Sequence, residues 1–405
     1  MLRTHANQII NDAIQAVLPD EAVKRALAEK RFPGKVILVA AGKAAWQMAN
    51  AAWDCTHIDA GIVITKYHHA KGPIGNLIIR EAGHPVPDEN SFAATREALS
   101  LVEGLTSQDT VLFLLSGGGS ALFEDPLVSG EELQNITRQL LACGADIVEI
   151  NTIRKRLSQV KGGRFAQRAM PAQVYSIVLS DVLGDPLDMI ASGPAYPDST
   201  TCRDALAIVE KYALNLSPKA LALLRQETPK ELTNVTTQIN GSVRQLCNAA
   251  ANACKALGYE PVVLTDMLTC QAKEAGSFLA SIAKTQAASG RKLAYIAGGE
   301  TVVQLTGQGK GGRNQELALS AAAGIRGLSN VAIFSLGSDG TDGPTDAAGG
   351  FVDGTTAQHL EEQGVFIPQV LRDNDAYNAL KLVDGLIITG PTGTNVNDVS
   401  VVLIS

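Results

Sequence analysis

The segment DTVLFLLSGGGS, residues 109–120, joins a run of apolar residues to a cluster of three glycines. A short apolar run bounded by turn residues is typical of a buried β-strand. The glycines let the backbone approach a ligand closely, and several N–H groups would face it with a helix N-terminus behind them. The segment therefore predicts a strand followed by an anion-binding loop, although a tight turn without a ligand explains the same pattern.

Apolar runs of the same kind recur through the first half of the chain. Helical patterns separate them, for example at residues 6–30 and 89–105. This alternation of strand, turn and helix predicts βαβ units and a mostly parallel sheet. The runs are KVILVAAG (35–42), AGIVIT (60–65), NLIIREAG (76–83) and VYSIVLSD (174–181).

The texture of the sequence changes after these strands. Residues 203–235 are helical and rich in Lys and Glu, and ELTNVTTQING (231–241) is typical of a connector. Because 405 residues exceed one ordinary core, the sequence predicts two α/β domains, at 1–235 and 236–405. The strands predicted in the second domain are YEPVVLT (259–265), KLAYIAGGE (292–300), TVVQLT (301–306), NVAIFSLGSDG (330–340) and the start of GLIITGPTGTNVND (385–398).

Composition excludes several classes of protein. Hydrophobic residues make up 45% and charged residues 19%, which indicates a folded chain rather than a disordered one. The net charge of −7 argues against a broad nucleic-acid surface. The N-terminus has no signal pattern, and no run approaches the roughly 18 apolar residues of a membrane span. We therefore expect neither a nucleic-acid nor a membrane partner.

The six cysteines are scattered without a C-x-x-C pair, and the six histidines show no metal-ligand spacing. Such cysteines are typical of reduced core thiols in a cytoplasmic protein. The pair His68–His69 fits a loop better than a metal site. These patterns predict a cytoplasmic location.

Residues 307–316, GQGKGGRNQE, contain a G-x-G-x-x-G pattern. A dinucleotide-binding turn normally opens the first βαβ unit, and an acid follows about 20 residues later. Here the pattern comes late, the nearest acid at a strand end is Asp339, and Arg313 follows the last glycine directly. Phosphate binding fits this context better than binding of a redox cofactor.

Charged residues follow several of the predicted strands. Lys43 and Arg313 each begin a predicted helix, where a cation opposes the helix dipole and a bound anion would compensate. A solvated side chain explains Lys43 equally well. Asp181 and Asp339 are candidate Mg²⁺ anchors, because Mg²⁺ prefers few carboxylates and completes its shell with phosphate oxygens and water. Such aspartates more often cap helices or fix turns. Together these groups favour phosphoryl transfer.

The chain resembles the glycerate 2-kinases that end in a MOFRL domain. The resemblance runs over almost the whole chain, with Ser338 standing where many members have threonine. The segments that carry it are GKAAWQMA, GHPVPDENS, LLSGGGSAL, INTIRKRLSQVKGG, LSDVLGDPLDMIASGP, GGETVVQLTGQGKGGRNQELAL, GSDGTDGPTDAAGG and TGPTGTNVND.

This resemblance implies a fold and an activity. The fold would be a Rossmann-like N-terminal domain and a smaller C-terminal α/β domain, with the active site in the cleft between them. The activity would be transfer of the γ-phosphoryl group of ATP to the 2-hydroxyl of D-glycerate with a divalent metal, Mg²⁺ being our expectation. The family's catalytic lysine and arginine fall on Lys43 and Arg313.

Further candidate residues complete the predicted site. Arg154, Asn314 and Glu300 are candidates for binding the acceptor substrate. Arg154, Lys155 and Lys161 could contact the glycerate carboxylate or the phosphates, although a solvated basic helix face explains these three residues equally well. The candidates for nucleotide binding are Ser116, Gly117, Gly118, Gly119, Ser120, Lys161, Gly309, Gly311 and Gly312.

Two other functions remain as alternatives. Some members of the family carry the older label hydroxypyruvate reductase, so an NAD(P)H-dependent reductase is the rival enzyme. A non-catalytic sensor of a phosphorylated metabolite is the rival from another class. The partners we expect are small molecules, with a homodimer as one option for the assembly.

Overall fold

The computed structural model describes residues 1–405 and divides into two compact units. The first unit is Pro19–Asn240, and the second joins Met1–Leu18 to Gly241–Ser405. Residues 1–235 are predicted as one domain, whereas the first helix, α1 (Leu2–Ala16), groups with the second unit. This is because α1 packs against a helix at 243–256, a contact between segments far apart in the sequence.

The first unit is built on a six-stranded sheet. Its strands are β1 (Val36–Ala41), β2 (Ala60–Lys66), β3 (Ile78–Ala82), β4 (Thr110–Leu115), β5 (Gln173–Leu179) and β6 (Val235–Gly241). Their order is β3-β2-β1-β4-β5-β6, and all neighbours from β3 to β5 run parallel. Alternate residues of β1 enter two different hydrophobic clusters, so the sheet is covered on both faces as a parallel sheet requires.

Helices follow most of these strands. The stretch predicted as one helix over 6–30 is two helices, because Pro19 opens the second one at a position where its missing N–H costs nothing. The helices of the first unit are α2 (Pro19–Leu27), α3 (Ala45–Cys55), α4 (Glu89–Val102), α5 (Gly119–Leu122), α6 (Gly130–Ala142), α7 (Ile147–Arg156), α8 (Arg164–Arg168), α9 (Cys202–Tyr212) and α10 (Pro218–Leu224), with a 3₁₀ turn at Ile190–Ser192.

The second unit contains a mixed sheet. Its strands are β7 (Glu260–Leu268), β8 (Leu293–Gly299), β9 (Val331–Gly337), β10 (Gly349–Asp353), β11 (Leu386–Ile387) and β12 (Asp398–Ile404). Their order is β11-β10-β9-β12-β8-β7, and only β7 and β8 run parallel. The helices of this unit are α11 (Val243–Ala256), α12 (Ala272–Gln286), α13 (Arg313–Gly324), α14 (Thr356–Glu362), α15 (Ile367–Asp373) and α16 (Ala376–Leu382).

Two segments differ from the predicted elements. The predicted connector at 231–241 supplies the edge strand β6, and the N–H of Val174 donates to the carbonyl of Asn234 beside it over 2.7 Å. The predicted strand at 301–306 is irregular, because only an isolated bridge between Val302 and Gln271 is available to it. In both cases the presence or absence of a neighbouring strand decides the outcome.

No helix has both the length and the apolar character needed to cross a membrane. All six cysteines are unpaired, but only Cys247 and Cys254 are buried. Cys55, Cys143 and Cys270 are exposed, so the prediction of core thiols was wrong for these three.

Strand direction brings the candidate loops together within each unit. In the first unit the parallel strands β1, β4 and β5 end at one edge, where the residues after them form the loops that carry Lys43, Ser116 and Asp181. In the second unit β12 is antiparallel to β8 and β9, so its first residue, Asp398, pairs with the last residues of both, Gly299 and Gly337.

Candidate functional site

The loops after β1 and β4 are hydrogen-bonded into one surface. The N–H of Lys43 donates to the carbonyl of Gly117 over 2.9 Å. The N–H of Ala44 donates to the hydroxyl of Ser116 over 3.1 Å, and the N–H of Ser116 donates to the carbonyl of Ala41 over 3.0 Å. The predicted glycine cradle and the predicted catalytic lysine therefore share one rigid support.

Glycine is required where these loops meet. Gly42 has φ of +128°, and a Cβ there would collide with the hydroxyl of Ser116. Gly118 has φ of +86°, and a Cβ there would lie 3.0 Å from the ring of His84 and 3.3 Å from Cγ of Lys43. These contacts place the stem of Lys43 and the imidazole of His84 directly beside the glycine turn.

The turn offers several free donors. The N–H groups of Gly117, Gly118 and Ser120 donate to no acceptor within the protein, whereas that of Gly119 donates to the carbonyl of Ser116 over 3.3 Å. The helix behind them, α5, has only four residues, so the donors belong to the turn rather than to a long helix dipole. Lys43 is exposed and forms no salt bridge. The arrangement can bind an anion through three N–H groups and one ammonium.

Lys161 lies beneath this turn. It is fully buried, and its ammonium donates to the carbonyls of Ser120 and Phe123 over 2.8 and 3.0 Å. The carboxylate of Glu124 lies 3.0 Å from the same nitrogen and is also fully buried. A direct contact between Lys161 and a phosphate, as predicted, would require it to leave these partners, so the geometry favours a supporting role.

The basic segment 154–161 separates into two kinds of cation. Lys155 is fully buried and lies 3.1 Å from Asp198 and 3.3 Å from Asp188. Arg156 is also fully buried and lies 3.4 Å from Asp198. By contrast, Arg154 is only half-buried, forms no salt bridge, and has an Nε without a hydrogen-bond partner. Of the predicted basic face, Arg154 alone is therefore available for an anionic ligand.

Two groups flank the turn. A Cβ at Gly117 would collide with the carboxylate of Asp181, so this candidate metal ligand lies against the cradle. On the other side, burial together with the charges of Lys43 and Lys66 lowers the pKa of His84, which keeps its imidazole neutral at pH 7. Sequence reasoning missed His84, although it lies in one of the segments that carry the family resemblance.

In the second unit Arg313 is held by carboxylates. Its Nε and one terminal nitrogen donate to the two oxygens of Asp398 over 2.6 and 3.0 Å, and the other terminal nitrogen donates to Glu300 over 3.0 Å. Burial acts to lower the pKa of Arg313, but the hydrogen bonds and charge of Asp398 outweigh this and raise it. A guanidinium has five N–H groups, so two remain for a ligand.

The glycine loop before Arg313 packs against residues 373–375. A Cβ at Gly307 or Gly309 would collide with this segment, and the N–H of Gly309 donates to the carbonyl of Asp373 over 2.8 Å. The predicted phosphate contact of Gly309 therefore lacks a free donor. The N–H groups of Gly311, Gly312 and Arg313 have no partner within the protein, so these three remain available to an anion.

A buried carboxylate accepts free N–H groups in the first turn of α13. Asp342 accepts the N–H groups of Asn314 and Gln315 over 3.1 and 2.9 Å, and a Cβ at Gly312 would collide with it. The side chain of Asn314 accepts from Ser335 over 2.6 Å and donates to Asp342 over 3.3 Å. Asn314, predicted to contact substrate, is thus engaged inside the protein, where it helps to fix the first turn of the helix.

Asp339, the other candidate metal ligand, lies just after β9. One of its oxygens accepts the N–H and the hydroxyl of Thr341 over 2.9 and 3.1 Å, and the other accepts no hydrogen bond. No group of three or more His, Cys, Asp or Glu side chains that could hold a metal ion occurs in the structure. The donors present fit a cation that takes one carboxylate oxygen and draws its other ligands from phosphate and water.

Comparison with known proteins identifies the family. Residues 5–225 match the model of a domain of unknown function, DUF4147, and residues 293–398 match the MOFRL family. The chain is 54% identical to the D-glycerate 2-kinase of Thermotoga maritima, over 100% of this chain and 98% of that protein. The chain belongs to the glycerate 2-kinase family.

Other members agree with this assignment. The Glycerate 2-kinase of Pyrococcus horikoshii is 42% identical over 98% of this chain and 96% of its own. The crystal structure of the Thermotoga maritima glycerate kinase superposes with a TM-score of 0.95 at 54% identity, covering 100% of this chain and 99% of that one. The predicted α/β fold and the predicted family are confirmed.

In this glycerate 2-kinase family member, the functional residues that sequence reasoning missed are those that support a predicted residue. Asp398 and Asp342 hold Arg313 and its helix, and Glu124 holds Lys161. Asp398 is the last residue of TGPTGTNVND, one of the segments that carry the family resemblance, yet nothing in the spacing links it to Arg313. Their contacts join segments that are distant in sequence.

The matched substitutions Gly42→Ala and Gly72→Ala test the support of Lys43. Both glycines have φ of +128°, but a Cβ at Gly72 has nothing within 4 Å. We expect Gly42→Ala to lower kcat by on the order of a hundredfold because it displaces the loop, and Gly72→Ala to leave kcat near that of the wild type. Steady-state kinetics and thermal unfolding of both variants check this. Equal losses in the two variants would contradict it.

The burial of Asp342 predicts a dependence of stability on pH. Burial raises the pKa of Asp342 to about 6, and the charge of Asp398 adds to the effect. A raised pKa stabilises the fold fully below the unfolded value near 3.8, and this contribution is lost as pH rises through 6. Relative to Asp342→Asn, the wild type should therefore lose about 2 kcal/mol of unfolding free energy between pH 4 and 7.

Denaturant unfolding at several pH values measures this difference. Asp12→Asn, at an exposed position, serves as the control and should follow the wild type at every pH. A difference between wild type and Asp342→Asn that stays constant from pH 4 to 7 would show that Asp342 does not titrate in the folded protein.

Proposed function

We propose that this protein is an ATP-dependent D-glycerate 2-kinase, which transfers the γ-phosphoryl group to the 2-hydroxyl and releases 2-phosphoglycerate and ADP. The observation that carries the proposal is the surface formed by Lys43 and the free N–H groups of Gly117, Gly118 and Ser120. It presents donors and one unpaired positive charge, as binding of a polyphosphate requires. The names of the relatives supply the substrate.

Catalysis of phosphoryl transfer depends chiefly on positioning of the reactants and on stabilisation of negative charge. In phosphoryl transfer the negative charge spreads over the oxygens of the transferred group, and fixed donors aimed at those oxygens stabilise the transition state. We assign this role to the ammonium of Lys43 in the first unit and to the guanidinium of Arg313 in the second. Asp398 fixes the plane of that guanidinium through two hydrogen bonds.

The acceptor substrate carries a carboxylate. We assign its recognition to Arg154, because its guanidinium is unpaired while neighbouring Lys155 and Arg156 are held by Asp198. Arginine suits this task since its fork of N–H groups matches the two oxygens of a carboxylate. Glu300 acts on Arg313 in this scheme and not on the substrate directly.

A divalent cation that takes a single carboxylate anchor fits the residues present. Asp181, which lies against the cradle, and Asp339, with one oxygen free of hydrogen bonds, are the two alternatives for holding Mg²⁺. When bound, Mg²⁺ supplies positive charge to the phosphate oxygens of ATP. We further place the enzyme in the cytoplasm, which the unpaired state of all six cysteines supports.

A coupled assay tests the proposed activity. With ATP, Mg²⁺ and D-glycerate the protein should form ADP and place the phosphate on carbon 2, which ³¹P and ¹³C spectra can locate. With NADH and hydroxypyruvate we expect no oxidation of NADH. Loss of NADH without formation of ADP would select the reductase instead, and no reaction in either assay would favour a sensor.

Substitution of the two cations tests their assigned roles. Lys43→Ala and Arg313→Ala should each lower kcat by on the order of a hundredfold or more, because each removes an electrostatic partner of the transition state. Lys24→Ala and Arg326→Ala remove exposed, salt-bridged cations from the same two units and should leave kcat unchanged. A wild-type kcat in a folded Lys43→Ala or Arg313→Ala protein would contradict the assignment.

A further inference from the structure

The segment 373–375 packs against the loop that precedes Arg313 and is hydrogen-bonded to it. The N–H of Gln308 donates to the carboxylate of Asp373 over 3.1 Å, and the N–H of Lys310 donates to that of Asp375 over 2.9 Å. The glycines at 307 and 309 lie so close to this segment that no Cβ fits there. The loop therefore takes its shape from a distant part of the chain rather than from a ligand.

Asn374 makes three of the hydrogen bonds between this segment and the start of the loop. It is buried, and its φ of +57° lies in the left-handed region that Asn tolerates. Its Oδ1 accepts the N–H groups of Thr306 and Gly307 over 2.8 and 2.9 Å. Its Nδ2 donates to the carbonyl of Gln304 over 3.1 Å. The side-chain amide of Asn374 thus holds the backbone from residue 304 to residue 307, where the glycine loop begins.

The same amide is tied to the helix that Arg313 opens. Its Nδ2 donates to Oε2 of Glu316 over 3.2 Å. Glu316 is 4% exposed and lies in the first turn of α13, where its N–H donates to the carbonyl of Gly312 over 2.9 Å. A shift of Asn374 would therefore move the loop before Arg313 and the helix turn after it together.

We propose that Asn374 and Glu316 are positioning residues for phosphoryl transfer. They set the orientation of Arg313 without touching the substrate. The inference rests on the proposed function only for its kinetic consequence, since the contacts themselves are independent of any activity.

Few charged residues surround Glu316 and Asn374. Glu316 and Asn374 form part of the wall of a cavity of about 590 Å³, and the other charged residues that line it are Lys273 of α12 and Arg372 of α15. Asp373 and Asp375 flank Asn374 on its own segment. Burial raises the pKa of Glu316, whereas Asn374 and Lys273 act to lower it.

A polarity swap tests the proposal. Asn374→Asp keeps the acceptor for Thr306 and Gly307 but replaces the donor with an oxygen that faces Glu316 and the carbonyl of Gln304. We expect kcat to fall at least tenfold while KM for D-glycerate changes less than threefold, and kcat should recover partly at lower pH, where the two carboxyls share a proton. Glu316→Gln alone can still accept from Asn374 and should stay within threefold of the wild type.

The double variant Glu316→Gln with Asn374→Asp restores a donor and an acceptor in reversed order. We expect it to recover most of the lost kcat. Asn330→Asp is the matched control: it removes a single donation to the carbonyl of Ala287, remote from the loop, and should leave kcat unchanged. A folded Asn374→Asp protein with wild-type kcat, or a double variant with no recovery, would overturn the proposal.

Hydrogen exchange tests the positioning role of Asn374 independently of the proposed kinase activity. In Asn374→Asp, repulsion between the new carboxylate and Glu316 should pull residue 374 away from the N–H groups of Thr306 and Gly307, although an acceptor is still present. These two amides should therefore exchange at least tenfold faster than in the wild type, and the double variant should restore their protection. This pattern is measurable even if the wild type phosphorylates nothing, which would overturn the kinase activity alone. Unchanged exchange in Asn374→Asp would overturn the positioning role whatever the activity.

Discussion

The candidate site depends on the close approach of glycine backbone to a polar side chain. Gly42 lies against the hydroxyl of Ser116, Gly117 against the carboxylate of Asp181, and Gly312 against that of Asp342. At each position a Cβ would occupy the space of the neighbouring oxygen. The loops can therefore fold over one another without side chains between them, which leaves N–H groups such as that of Gly117 exposed to a ligand.

The cations of the site fall into two groups according to their solvation. Lys155, Arg156 and Lys161 are fully buried, and each is compensated by a carboxylate. A buried charge left without a partner would cost several kcal/mol, so these residues cannot easily be spared for a ligand. Lys43 and Arg154 keep contact with water and have no ionic partner. Lysine and arginine thus supply both the buried ion pairs that support the loops and the unpaired cations that we assign to anion binding.

Arg313 combines both situations. Its pairing with Asp398 and Glu300 fixes its direction, while the fork of the guanidinium retains donors for a further anion. The loop before it satisfies the dinucleotide pattern, but its glycines serve packing against residues 373–375 and against Asp342. A G-x-G-x-x-G spacing therefore indicates that the backbone packs closely against a neighbouring group. That group can be another segment of the protein rather than a cofactor.

The sequence by itself determined five of the six strands of the first sheet, the glycine turns after β1 and β4, and the cations Lys43 just before a helix and Arg313 at the start of one. These features depend on local apolar runs and turn residues. It could not determine that α1 joins the second unit, that residues 235–241 form an edge strand, or that residues 301–306 find only the isolated bridge between Val302 and Gln271. Only the tertiary structure decided which cations are free and which are paired. Ion pairs such as that of Arg313 with Asp398 join residues 85 positions apart, and local spacing carries no record of them.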